Sequence, residues 1–329
     1  MKLFKKFFLL MFAVITVLSV AACQYDSDVI VIAEGDWDSN IFYNEMVKII
    51  IEEGYDTEVE ITQVGTQVMT LGLIDGDIDL NIETWAANMG TYEDDIAEGR
   101  YDELGTNFDD NYQGLYIPTY IQEANPGLVS VQDLVDYKAL FPDPEITNWD
   151  PETDKAVVYG GPSGWGASKF YTAKFENEEL YKDLVDNFEF RTIEATATLN
   201  ATIASANDNE EAWVGYYWEP TDIMGIYDMV LLEDDIAFDS ETGAGNLPTT
   251  PVTIVSTDGF KEDYPEIADF LSNMSTSSAV VNDVLAYKTQ QGLDIQAVTV
   301  WWMQENVDMW SSWVTEDAAT KINDALDAM

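Results

Sequence analysis

Leu71-Gly-Leu-Ile-Asp-Gly-Asp-Ile-Asp-Leu-Asn-Ile-Glu-Thr-Trp85 joins the end of a helix to a strand within a few residues. Thr66–Gly76 reads as the helix and Ile78–Ile82 as the strand. Upstream, Val29–Ala33 is a continuous apolar run, the pattern of a buried strand. Ser39–Gly54 carries Ile41, Met46, Val47, Ile50 and Ile51 at helical spacing, with Ser39 or Asn40 to cap it and Gly54 to end it. Thr57–Ile61 alternates as a strand does. Strand and helix therefore alternate from the start, which predicts an α/β domain with a largely parallel sheet.

Downstream the same grammar continues with more interruptions. Leu115–Ile121 is a strand candidate broken by Pro118, and Val131–Leu140 is helical. Phe141–Asp154 is a loop rich in Pro, Asp and Asn. Ala156–Tyr159 is a strand leading into Gly160-Gly-Pro-Ser-Gly-Trp165. Phe188–Ile193 reads as a strand and Thr196–Asn207 as a helix. Ala212–Trp218 is an aromatic strand running into Glu219-Pro220. Beyond a loop at Asp239–Pro248, Val252–Ser256 is a strand, and Tyr264–Met274 and Ser277–Thr289 are helices. Ile295–Ala328 is a helical tail carrying Trp301, Trp302, Trp310 and Trp313, which read as packing residues, as do Trp149 and Trp213.

Four other tryptophans stand apart. Trp37, Trp85, Trp165 and Trp218 lie beside Gly, Pro or polar residues, at or just past the ends of apolar runs. There an indole can face a cleft, and ligand crevices in open α/β sheets form at such strand ends. Several indole faces around one space attract a quaternary ammonium ion, at roughly 0.5–2 kcal/mol per desolvated ring.

Composition excludes much else. The 329 residues suffice for two domains, and 47% apolar content supports real cores. With 14 Lys plus Arg against 62 Asp plus Glu, the formal charge is −48. Nucleic acid is excluded as a partner, since phosphate binding needs clustered basic residues. The acidic residues are dispersed, as suits solubility in a salty medium. There is no His, so His-based triads are absent. The lone Cys23 permits no intrachain disulfide. Neither a Gly-x-Ser-x-Gly elbow nor a phosphate-cradling Gly-Lys loop occurs, and the chain is expected to be no enzyme and to need no cofactor. Two readings outside a binding role stay open on these residues. One is a carboxylate-dependent surface hydrolase. The other is a calcium-stabilised adhesin using Asp143, Glu145, Asn148, Asp150 and Asp154, an oxygen-rich loop without EF-hand spacing; no metal site is assigned.

The N-terminus is a targeting segment, residues 1–22: Lys2, Lys5 and Lys6, an apolar run Phe7–Val20, then small residues. Val20-Ala-Ala-Cys23 resembles a bacterial lipobox. That implies lipidation of Cys23, a tether over residues 23–28, and an extracytoplasmic protein held at a bacterial membrane.

The Leu71–Trp85 stretch, Gly-Pro-Ser-Gly-Trp-Gly, Gly-Tyr-Tyr-Trp-Glu-Pro and Leu-Asp-Ile-Gln-Ala-Val near the C-terminus together resemble the glycine betaine-type ABC importer binding proteins, in the family's order and over most of the chain. The resemblance implies a bilobal, periplasmic-binding-protein-like α/β fold. Two lobes would be joined by two crossovers, near Leu115–Thr119 and Pro248–Thr253. Lobe one would be residues 29–117 plus 250–329, and lobe two residues 118–249. It further implies a monomeric receptor that hands a quaternary ammonium solute, glycine betaine foremost, to an ABC permease. The family's tryptophan box carries over to Trp85, Trp165 and Trp218, with Trp37 as a further candidate. Some members hold the ligand carboxylate with a His; at that offset this chain has Met89, next to Asn88. The carboxylate would then fall to backbone N–H groups of Gly166 and Ala167, with Ser163, Ser168 or Asn88. Glu219 would instead favour choline or trimethylamine N-oxide. Without His, binding is expected to be nearly flat from about pH 6 to 8.

Overall fold

The computed structural model describes residues 29–329; the targeting segment and Cys23 lie outside the described residues. Those residues form two five-stranded sheets. The first contains β1 (Val29–Glu34), β2 (Glu58–Gln63), β3 (Leu80–Trp85) and β4 (Tyr101–Phe108). The second contains β5 (Tyr112–Pro118), β6 (Ala156–Gly160), β7 (Phe188–Thr192), β8 (Gly215–Glu219) and β9 (Met229–Leu231). The chain then returns to the first sheet as β10 (Val252–Thr257).

The strand orders are β2-β1-β3-β10-β4 and β7-β6-β8-β5-β9. β1 pairs in parallel with β2 and β3, and β6 with β7 and β8. β10 is antiparallel to both its neighbours, as is β5. One strand in each sheet is thus reversed, and it is the one that arrives from the other lobe. The pairings give the reason. Val252 opens β10 opposite Trp85 and Phe108, and Tyr112 opens β5 opposite Glu219. A chain crossing between lobes enters each sheet at the cleft end and must run away from it. The sheets are therefore largely parallel, as expected, and mixed only at their hinge strands.

β5 belongs to the second sheet. The first crossover accordingly lies at residues 109–111, not at Leu115–Thr119, and residues 112–117 move from lobe one to lobe two. An apolar run alone does not say which sheet will take it. The return occupies the stretch between Leu231 and Val252, where Ala244 and Leu247 still pack in the second core.

Helices cover both sheets. Asp38–Tyr55 lays Phe42, Met46, Val47, Ile50 and Ile51 into the first core. Thr66–Asp75 ends at Gly76, whose positive φ lets its N–H close onto the Gly72 carbonyl. The tail splits into Ile295–Glu305, Val307–Trp310 and Glu316–Leu326. Trp302, Trp310 and Trp313 are buried there, with Trp302 edge-on to Phe42. Trp301 stacks on Tyr287 at 3.6 Å. Trp213 stacks on Tyr159, and the Trp149 indole donates to the Lys155 carbonyl. All of these pack or brace the fold, as their sequence contexts indicate.

In the second lobe Lys174 is fully buried on helix Gly166–Glu176. Its ammonium pairs with Asp234 and donates to the Gly245 carbonyl at 2.7 Å; Tyr181 also donates to Asp234. Burial pushes the lysine down and Asp234 pulls it back. This network ties the helix to the return segment. One member of the acidic loop considered for calcium is paired elsewhere: Arg191 grips Asp143 with two hydrogen bonds of 2.6 and 2.8 Å. Among the described residues no group of His, Cys, Asp or Glu is arranged to hold a metal ion, and no helix is long and apolar enough to cross a membrane.

Candidate ligand-binding cleft

The two lobes present the same local construction to the cleft. β1 is followed by Gly35 and then Trp37, which stands at the N-cap position of helix Asp38–Tyr55. β6 is followed by Gly161 and then Trp165, at the N-cap position of helix Gly166–Glu176. A Cβ on Gly35 would sit 1.8 Å from the Trp37 ring, and one on Gly161 2.5 Å from the Trp165 ring. Glycine thus lets each indole fold back over its own strand end. The other two tryptophans close strands: Trp85 ends β3 and Trp218 is the penultimate residue of β8. In each sheet these are the adjacent strands at which the order reverses, where an open α/β sheet leaves a crevice.

The four indoles line one cavity between the lobes. Trp165 stands edge-on to Trp37 (5.6 Å, 80°) and to Trp218 (5.1 Å, 83°). Tyr216, two residues before Trp218 and on the same face, stacks beside it at 6.1 Å. Trp37, Trp165 and Trp218 are each at most 7% exposed. The lobes meet elsewhere too. The Asp36 carboxylate accepts the Thr196 backbone N–H at 3.0 Å, so a first-lobe residue caps second-lobe helix Thr196–Asp208. A Cβ on Gly166 would lie 2.1 Å from the Asn88 carbonyl oxygen. No larger residue allows that approach.

Two helix starts from opposite lobes border the cavity: Thr66 of Thr66–Asp75, and Gly166 and Ala167 of Gly166–Glu176. Neither start is closed by a capping side chain. Backbone N–H groups at such ends attract anions. Asn88 also borders the cavity, hydrogen-bonds Tyr216, and leaves its Oδ1 without a partner among the described residues.

One cavity residue is a carboxylic acid, and nothing in the sequence singles it out. Glu83 sits on β3, 1% exposed. Its Oε1 accepts from the Trp37 indole (2.9 Å), the Trp85 indole (3.0 Å) and the Ser39 hydroxyl (3.0 Å). Its Oε2 has no partner among the described residues. Burial raises the carboxyl to about 7, against the lowering effect of those three donors. An ionisable group therefore lines the cavity despite the absence of His, a group that the expectation of flat binding did not take into account.

Trp37, Trp85, Trp165, Trp218, Gly166, Ala167 and Asn88 are brought together at the cavity. Ser163 is exposed and Ser168 buried behind the helix start, and neither lines it. Nor does Glu219: alternation along β8 turns it away from the face of Trp218, and its carboxylate accepts from the Tyr116 hydroxyl at 3.2 Å. Thr66, Met69, Asn81, Glu83 and Tyr216 complete the lining and were not anticipated. Tyr216 had a usable signal, its spacing of two from Trp218 on an aromatic strand.

Comparison with known proteins agrees with this geometry. Residues 28–305 match the family model described as the substrate-binding domain of ABC-type glycine betaine transport systems. The chain belongs to this family. Its members are receptors and not enzymes, so the chain is a substrate-binding protein of the glycine betaine type. Among solved structures it is similar to the glycine/betaine/L-proline-binding protein of a Borrelia burgdorferi ABC transporter (18% identity, TM-score 0.72, covering 89% of this chain and 99% of that one). It is similar to an ABC-transporter choline-binding protein in complex with choline (18%, 0.73, 92% and 99%). A lactococcal protein in its closed form with glycine betaine also matches (16%, 0.67, 88% and 100%). At these identities the likeness shows the fold, two α/β lobes with a cleft between them.

Proposed function

We propose that this chain is the extracytoplasmic receptor of an ABC importer, lipid-anchored through Cys23, acting as a monomer and delivering a quaternary ammonium solute to its permease. The methylated head lies among Trp37, Trp85, Trp165 and Trp218. The observation that carries the reading is the convergence of four indoles, two from each lobe, on one cavity at the strand ends. Each ring offers cation–π attraction to a desolvated head, and a ligand touching both lobes favours their closed arrangement.

Glycine betaine is the ligand that uses the whole cavity. Its head meets the indoles, and its carboxylate meets the helix starts at Thr66 and Gly166–Ala167, with Asn88 beside them. Neutral donors of this kind can replace a His. Calorimetry with glycine betaine, choline, carnitine, proline betaine and proline tests the reading. The quaternary compounds should bind and proline should bind far more weakly. Failure of every quaternary compound to bind the folded protein would refute it. For the anchor, Cys23→Ser should release the protein from membranes without unfolding it, and unchanged membrane association would refute lipidation.

A further inference from the structure

A carboxyl is costly in a box of indole faces unless a cation offsets it. Glu83 accepts all its side-chain hydrogen bonds at one oxygen: Trp37, Trp85 and Ser39 converge on Oε1, and Oε2 is left buried without a partner on a residue that lines the cavity. A glutamine carbonyl could accept the same three donors without an ionisable group, so fixing the indoles does not by itself call for a glutamate.

The surroundings supply no balancing charge. On helix Asp38–Tyr55 the titratable neighbour is Tyr43, whose hydroxyl is raised chiefly by burial, with Glu83 and Asp110 adding to the shift. In the loop before that helix Asp36 is turned to the Thr196 amide, and at the first residue of the helix Asp38 is paired with Lys288. On its own strand Glu83 is flanked by Asn81 and Trp85. Across the cavity stand Trp165, Trp218 and Tyr216, the last with its hydroxyl donated to Gln113. With burial holding it near 7, the empty site is a mixture of protonated and ionised forms close to neutral pH.

We propose that Glu83 is the counter-ion of the bound head group: a permanent cation entering the box displaces the proton from Glu83 to solvent and pairs with the carboxylate through Oε2. The balance is simple. Protonated receptor plus cation gives the ion-paired complex plus one proton, with no covalent bond to carbon changed. This deepens, and rests on, the reading of the cleft as a quaternary ammonium site. It makes Glu83 a specificity-determining residue. A net monocation such as tetramethylammonium or choline gains from the ionised carboxylate in full. A zwitterion gains less, because its own carboxylate is held in the same small cavity. The site therefore favours net monocations increasingly as pH rises, and the advantage fades as Glu83 is protonated.

The test is titration calorimetry of the full-length protein with tetramethylammonium, choline and glycine betaine. It runs at about pH 5.5, 7 and 8.5, each in two buffers of different ionisation enthalpy so that released protons are counted. Tetramethylammonium has no hydroxyl or carboxylate and isolates the counter-ion effect. Its affinity should rise about tenfold per pH unit below the Glu83 titration and level off above it, with up to one proton released at the acid end. Glu83→Gln should remove both the pH dependence and the proton release. It should weaken tetramethylammonium at about pH 8.5 by tenfold or more, and glycine betaine much less. Pairing without a proton count, or equal losses for the two ligands, would overturn the proposal. Should Glu83→Gln fail to fold, the proton count on the wild-type protein decides alone. If wild type binds betaine and choline with flat pH dependence, only this inference falls. If wild type binds none of the three, the reading of the cleft falls with it.

Discussion

Residue by residue, the cavity divides into side chains that chemistry advertises and side chains that only folding reveals. Trp85, Trp165 and Trp218 are rare residue types in glycine- and proline-bounded contexts, so their placement could be read from the chain. Replacing each with Ala should weaken ligand binding about tenfold or more, since a desolvated ring contributes about 1–2 kcal/mol; calorimetry on the folded variants checks this. Glu83 could not be read that way. In a chain with 62 acidic residues, no single carboxylate stands out until burial and its three donors are known. Glu219 shows the converse: adjacency to Trp218 made it conspicuous, yet neighbours along a strand face opposite ways. Glu219→Gln should leave the affinities for betaine and choline unchanged. Glu83 also bears on stability without ligand. Its folded value, about 7, lies above the ordinary 4.5, so the folded state holds the proton more tightly. The associated stability is complete below about pH 4.5 and is lost as pH rises through 7, roughly 3 kcal/mol in all. Denaturant titrations should show Glu83→Gln removing that slope from the difference between variant and wild type.

At the level of elements, periodicity located most strands and helices, and it failed where local sequence is ambiguous. β4 contains Asp, Glu, Gly, Thr and Asn, a poor strand composition, and it forms because β10 offers it a whole edge. Helix Gly166–Glu176 mixes Lys, Tyr and Thr with its apolar residues and carries a fully buried lysine, so its inner face does not read as apolar. That lysine sets an element-scale expectation. Asp234→Ala strands the Lys174 ammonium in the second core and should cost about 3–5 kcal/mol of unfolding free energy. A loss under 1 kcal/mol would show that the pair is dispensable. Gly166→Ala should act differently. It puts a methyl group against the Asn88 carbonyl of the other lobe, so ligand affinity should fall more than tenfold while thermal stability without ligand changes little.

For the whole molecule, the alternation of strands and helices gave the α/β class, and the ordered tryptophan motifs gave the two-lobed arrangement. The position of the first crossover was beyond sequence reading, because Leu115–Pro118 would pack equally well in either sheet. Only pairing with β8 and β9 decides it. Scattering should show the protein becoming more compact on adding the tightest ligand, and an unchanged radius would count against closure about these hinge strands. With Trp37, Trp165 and Trp218 buried between the lobes, a solute bound among them should leave only after the lobes part, so that opening governs residence. Asp36 is not among the residues lining the cavity, but its carboxylate caps the start of a helix of the opposite lobe. Losing such a cap costs about 1 kcal/mol. Asp36→Ala should therefore speed dissociation several-fold in stopped-flow release experiments, and leave association nearly as it was. How long the receptor keeps its cargo before meeting a permease would then be set, in part, by one hydrogen bond outside the binding site.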